Sequence, residues 1–228
     1  MDKIKKNILE IKKNISKISL DLNRTIDSVT LMAVSKTQSA ENIREAYRAG
    51  QKDFGENYLQ ESISKIHELH DLEIIWHYIG SIQSNKSKLI AENYDWVHSI
   101  DKISTLKKIN KYRHGVNKKI NICIQVNIDA EDTKSGIYMN EVEDFIKECS
   151  SMNQVDIRGL MAIPKYQSDS DLKNKAFRKI KHLFDDLVKK GYKLDTLSIG
   201  MSSDYEEAIE SGSTIVRIGT AIFGERKK

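Results

Sequence analysis

Residues 29–50 read VTLMAVSKTQSAENIREAYRAG, an apolar run that passes directly into a helical segment. Val29 to Ser35 has the composition of a buried strand, and Gly50 stands where the following helix should stop. Between the two lies Lys36. An ammonium group at the end of a core strand ordinarily bends into water. The other reading is that it serves something held at the strand's carboxyl end.

The strand-then-helix pattern recurs along the chain. Strand candidates cover 29–35, 52–57, 74–80, 96–100, 120–128, 155–163, 196–200 and 214–219. Between them lie helical segments with visible end signals. Asp101 precedes one, Asn140 precedes another with Glu143 at capping-box spacing, and Gly191 marks a stop. Parallel strands need a crossover helix, which this alternation supplies. The expected fold is α/β, a (β/α)8 TIM barrel with an extra N-terminal helix, and a doubly wound sheet is the alternative. No repeat or linker divides the chain, whose only proline is Pro164, so residues 1–228 are expected to form one domain.

Composition excludes several classes. With 39% hydrophobic and 31% charged residues the chain reads as globular. No apolar run is long enough to span a bilayer, and the amino terminus lacks a signal-peptide core. Cys123 and Cys149 make a poor disulfide framework, so reduced thiols and a cytoplasmic location are expected. The net charge of +4 is spread without interleaved aromatics, which argues against a nucleic-acid groove. In MDKIKKNILEIKKNISKI, Ile4, Ile8, Ile11, Ile15 and Ile18 share one helical face opposite the lysines. That helix is expected to lie on the domain and not on a membrane, for which it lacks aromatic anchors.

In a barrel the carboxyl ends of the strands form the active face, and the loops after the last two strands often bind phosphate. The seventh candidate ends in SIGMSSDYEEA, where Gly200 could admit a ligand and Ser203 and Glu206 have capping-box spacing. The eighth ends in RIGTAIFGER, where Gly219 and Thr220 offer a second glycine–hydroxyl pair. Arg217 shares the face of Gly219 and needs a partner when buried: a carboxylate or a ligand atom. Lys36 ends the strand next to this one in a closed barrel. A lysine beside a phosphate cradle suggests a Schiff base with a phosphorylated aldehyde or sugar, and Arg217 and desolvation both favour the neutral amine that this requires.

AVSKTQSAENIREAYRAGQKDFGENYLQES (33–62), WHYIGSIQSNKSKLIAE (76–92), RGLMAIP (158–164) and LSIGMSSDYEEAIESGSTIVRIGTAIFGER (197–226) resemble the pyridoxal phosphate homeostasis proteins, the YggS/PROSC family. The resemblance implies a barrel similar to the alanine racemase N-terminal domain and pyridoxal 5′-phosphate (PLP) as cofactor. It makes Lys36 the Schiff-base residue and sets Arg217 at the pyridine nitrogen. Ser202, Gly219 and Thr220 would hold the phosphate, with Asn57 and Met161 near the ring. An arginine at that nitrogen disfavours its protonation and leaves a weaker electron sink. Racemisation also needs an acid/base on each face of the substrate, and the racemases' second domain, which would supply one, has no room in 228 residues. Tyr58, Tyr78 and Tyr138 are candidate substitutes, none singled out by spacing.

The expected function is therefore a PLP carrier that buffers or delivers the cofactor without robust catalysis, with PLP-dependent apo-enzymes as recipients and a monomeric state. An amino-acid racemase is the alternative, followed by a lysine aldolase of sugar phosphates and, last, a nucleic-acid binder. Other features read as structural. His67 and His70 lack zinc spacing, and Asp129, Glu131 and Asp132 suit a solvated loop better than magnesium. Lys134 could reach the pocket mouth or water, and His77, Gln83, Asn85 and Lys86 could fix loops or shape the entrance. GTAIFGER lacks the lysine and hydroxyl of a P-loop, and no G-x-S-x-G elbow is present.

Overall fold

The computed structural model describes residues 3–131, 134–165 and 170–225. Helix α1 (Lys3–Asp21) leads into β1 (Thr30–Val34), α2 (Ala40–Arg48), β2 (Asp53–Glu56), α3 (Leu59–Glu68) and β3 (Ile75–Tyr78). Next come α4 (Ser87–Asn93), β4 (Trp96–Ile100), α5 (Ile103–Tyr112), β5 (Ile120–Asn127), β6 (Ile137–Tyr138) and α6 (Val142–Glu148). The chain continues through β7 (Val155–Met161), α7 (Ser170–Lys189), β8 (Thr196–Met201), α8 (Tyr205–Glu210), β9 (Ile215–Ile218) and α9 (Thr220–Phe223). The strands run in the order β4-β3-β2-β1-β9-β8-β7-β5, and a further β4–β5 pairing closes them into a parallel barrel. All eight strand candidates form it. The two-residue β6, which the alternation did not announce, pairs with the end of β5 outside the ring.

Local signals explain much of this order. Ser39 caps α2 by accepting from Asn42 N at 3.2 Å, and Gly50 ends its turn at φ 85°, a left-handed conformation that suits glycine. Gly191 follows α7 in the same way at φ 93°. Gln51 then donates to Leu31 O (2.6 Å) and Asp53 O (2.7 Å), stitching the starts of β1 and β2 together. Two expected caps are corrected. Lys102, not Asp101, takes the position before α5, with no side-chain bond. Asn140 lies within a 3-10 turn whose capping box is made by Tyr138 and Glu141, while Glu143 accepts from Lys190 (2.5 Å). That extra turn absorbs the amino-terminal N–H groups before α6 begins.

Helix α1 lies against α2, α8 and α9 with Ile4, Ile8, Ile11 and Ile15 buried and Ile18 partly so, as its periodicity predicts. No helix among the described residues is long and apolar enough to cross a membrane. The main core lies between the helices and β1–β5 and β9, with Val155 of β7 at its edge, and a second apolar cluster joins α6, α7 and α8 to β5, β7 and β8. Gly159 on β7 admits the backbone of Thr196, whose carbonyl would stand 1.7 Å from an added Cβ. Cys123 and Cys149 are buried free thiols.

Ile8 is fully buried beneath α1. Ile8→Ala should cost about 2–5 kcal/mol, the range for an emptied core site. The measurement is the urea midpoint at unchanged slope.

Candidate functional site

At the carboxyl ends of the strands lies a cavity of ≈340 Å³, within the size range of small-molecule sites. Lys36, Asn57, Met161, Ser202, Arg217, Gly219 and Thr220 all line it. They come from the ends of five strands, β1, β2, β7, β8 and β9, so closure alone brings them together. Val34 opposite the Gly219 turn places Lys36 beside that turn: Ala33 pairs with Ile218, and a Cβ at Gly219 would meet Val34 O at 3.2 Å.

Arg217 is buried, and among the described residues its hydrogen bonds go to carbonyls and a hydroxyl, not to a carboxylate. Its Nη1 donates to Ser198 O (2.6 Å) and Ser198 Oγ (2.8 Å), and its Nη2 to Ala162 O (3.0 Å). Of the two partners expected, a carboxylate or a ligand atom, the first is replaced among these contacts by carbonyls and a hydroxyl, since the strand ends beside Arg217 present backbone oxygen. Among the described residues these bonds use three of its five N–H donors. Burial lowers its pKa to about 10, with Asp204 acting in the opposite direction, so it stays cationic at neutral pH.

Beneath Arg217 the polar chain continues. Ser198 Oγ lies 3.0 Å from His98 Nδ1, His98 Nε2 lies 3.0 Å from His77 Nδ1, and His77 Nε2 lies 3.0 Å from Asp53 Oδ1. β4 and β8 are not neighbours, so the His98–Ser198 contact crosses the barrel interior. Burial drives the His98 pKa well below 6.5, reinforced by His77 and Arg217. A neutral imidazole donates at one nitrogen and accepts at the other, which suits a group bridging two polar neighbours. His77 therefore belongs to the barrel floor and not to the entrance.

The loops after β8 and β9 meet through Ser202 Oγ, which accepts from Gly219 N at 3.3 Å. Ser203 and Thr220 place two more hydroxyls on the same wall. The Ser203–Glu206 capping box does not form. Asp204 takes the cap position and its Oδ1 accepts from Met201 N (2.6 Å), so α8 starts later, and Glu206 bonds Asn14 (2.5 Å) instead. Gly200 does not line the cavity. Its φ is 93°, and an added Cβ would stand 2.6 Å from Ala208 Cβ, so the glycine serves the helix contact.

Asn57 presents a buried Oδ1 with no hydrogen-bond partner among the described residues. Val34, Gln38, Ile79, Ile163 and Met201 also line the cavity without having been singled out in the sequence, and Ser203, singled out as a helix cap, lines it instead. Strand alternation from Lys36 and Met161 would have found Val34 and Ile163. Nothing local marks the others.

Outside the cavity, Tyr78 is buried and donates to Ser81 O (3.1 Å), while Tyr58 and Tyr138 are exposed. None of the three lines the cavity. Lys134 Nζ lies 3.4 Å from Asp129 and 3.0 Å from Glu131, so an ammonium occupies the acidic loop; Asp132 falls outside the described residues. Gln83, Asn85 and Lys86 sit at a 3-10 turn before α4. No cluster of three metal-ligating side chains occurs among the described residues.

Residues 6–227 match the family described as alanine racemase, N-terminal domain. The pyridoxal phosphate homeostasis protein of Vibrio alginolyticus is 45% identical over 230 residues, covering 99% of this chain and 99% of the relative. That of Pasteurella multocida is 43% identical over 227 residues, covering 98% and 97%. Among solved structures, PipY of Synechococcus elongatus with PLP bound is similar at a TM-score of 0.80 and 34% identity, over 92% of this chain and 100% of that one.

Because His98 is held neutral by the fold, the unfolded chain takes up a proton first as the pH falls. Stability is therefore lost below about pH 6.5, by up to ~1.4 kcal/mol per pH unit from this one group. His98→Gln should flatten that slope in urea unfolding followed from neutral to acidic pH. An unchanged slope would reject this account of His98.

Proposed function

The chain belongs to the pyridoxal phosphate homeostasis protein family, and from that membership we propose that it binds PLP in this cavity and buffers or delivers it. The reading is carried by one observation: a lysine amine, a buried guanidinium and two hydroxyl-bearing loops converge on a single small-molecule cavity. When bound, the cofactor supplies an aldehyde that amines capture reversibly.

Lys36 holds that aldehyde as a Schiff base. Ser202, Gly219 and Thr220 hold the phosphate, where hydroxyls and backbone suit an anion. Arg217 faces the pyridine nitrogen, and Asn57 and Met161 border the ring. The orphaned Asn57 Oδ1 supports a polar ligand atom in its vicinity. Residues 1–228 act as one PLP-binding domain, cytoplasmic and monomeric, with PLP-dependent apo-enzymes as recipients.

The role is binding, not turnover. A permanent cation opposite the ring nitrogen disfavours nitrogen protonation and so gives little carbanion stabilisation. A racemase needs a second acid/base facing Lys36 across the substrate. The three tyrosines that could stand in for it lie off the cavity lining. Exchange of the α-proton of alanine in deuterated water tests this, and turnover near the usual enzyme scale of about 10 per second would favour the racemase.

Protein loaded with PLP should show the visible absorbance of a lysine-bound cofactor, and borohydride should fix one cofactor mass on Lys36. Lys36→Ala should lose both signals. A borohydride adduct on another lysine, with Lys36 unmodified, would reject the assignment.

A further inference from the structure

Beneath Lys36 lies a set of buried charges that the site itself does not use. Residues Ser35 to Gln38 form a tight turn in which Gln38 N donates to Ser35 O at 3.0 Å. Lys36 takes its second position and Thr37 its third, at φ 65°. Turns of this kind exist in two forms related by a flip of the central peptide. The form with positive φ at the third position normally carries glycine or asparagine. A β-branched residue there is strained and persists only where its surroundings impose the conformation.

Those surroundings are present. The N–H of the central peptide, Thr37 N, donates to Glu61 Oε1 at 2.7 Å. Lys65 Nζ donates to the same Glu61 oxygen (2.5 Å), to Glu56 Oε1 (2.9 Å) and to Ser35 O (2.8 Å). Ser35 Oγ adds a bond to Glu56 Oε1 at 2.7 Å. Lys65 and Glu56 are both buried, and Glu56 Oε2 has no hydrogen-bond partner among the described residues. Burial pushes the Glu56 carboxyl up, opposed by the Lys65 ammonium. A buried ion cluster with an unmet oxygen is a poor source of stability, because desolvation offsets the attraction. What it does supply is direction: every one of these bonds ends on the residue before Lys36, on the peptide after it, or on a group that holds one of them.

We propose that Glu61, Lys65 and Glu56 form a clamp that selects the flipped Ser35–Gln38 turn and thereby aims Lys36 into the cavity. They are positioning residues, and the proposal rests on the reading of Lys36 as the cofactor's anchor. Glu61 orients the central peptide, Lys65 ties Glu61 to the end of β1, and Glu56 fixes Lys65 from β2.

Two measurements on the full chain test this. In PLP-free protein the Thr37 amide should be protected from hydrogen exchange. Glu61→Ala should speed its exchange by roughly tenfold, the scale of one lost hydrogen bond to a charged group. A Thr37 amide unprotected in the parent chain, or equally protected in Glu61→Ala, overturns the clamp whatever the cofactor does. In PLP titrations, Glu61→Ala should weaken binding by roughly tenfold on the same scale. Adding Thr37→Gly, which adopts positive φ without strain, should recover most of it, whereas a loss of general stability would not be recovered in this way. Unchanged affinity in Glu61→Ala, or no recovery with glycine, overturns the proposal. A parent chain that shows the exchange result yet binds no PLP keeps the turn-selecting clamp and rejects the functional reading instead.

Discussion

When the β4–β5 pairing closes the parallel sheet, the inward side chains of the barrel have only one another to meet. In this chain several of them are polar, among them His77, His98, Ser198 and Arg217, all buried. A buried polar group left unmatched costs about 1–3 kcal/mol, so each must find a partner across the lumen. The chain of contacts from Asp53 through His77, His98 and Ser198 to Arg217 does this. It also ties β2, β3, β4, β8 and β9 into one register. A slip of one residue on any of these strands would turn its member of the chain to the outer face.

The same closure decides what the upper rim can do. Parallel strands deliver all their carboxyl ends to one face, so residues far apart in sequence become wall-to-wall neighbours there. Lys36 brings an amine and Arg217 a guanidinium to one cavity, and the loops carrying Ser202, Gly219 and Thr220 bring hydroxyls and backbone to it. Desolvation weakens the hold of Arg217 on its proton without neutralising it. The result is a site that suits an anion-bearing ligand and retains a permanent positive charge on its floor.

Much of the site was legible before any tertiary contact was known. Lys36 at a strand end, Arg217 two residues before Gly219, and the hydroxyls of Ser202 and Thr220 after the last two strands are local patterns, and the barrel geometry carries them to one rim. Ser39 as a cap and Gly50 as a stop were legible for the same reason, since both act within one turn of the helix. Asp101, Asn140 and Ser203 carried equally good local signals and were overruled. At each of these positions a neighbouring residue or an extra 3-10 turn took over the helix start. Gly200 looked like a ligand approach and is instead the space into which Ala208 packs, a contact with the following helix that no single-strand pattern reveals.

The amino-acid order by itself determined the alternation of eight strands with their helices, the apolar face of α1 and the chemical types at the strand ends. Each of these follows from periodicities and turn preferences that act over a few residues. Only the tertiary structure decided which groups satisfy Arg217, that His77 lies under the cavity floor, and that Glu61 and Lys65 grip the turn holding Lys36. Those partners come from other strands and helices, and burial makes their pairing compulsory. Nothing in the separate segments encodes which donor will face which acceptor once water has been excluded.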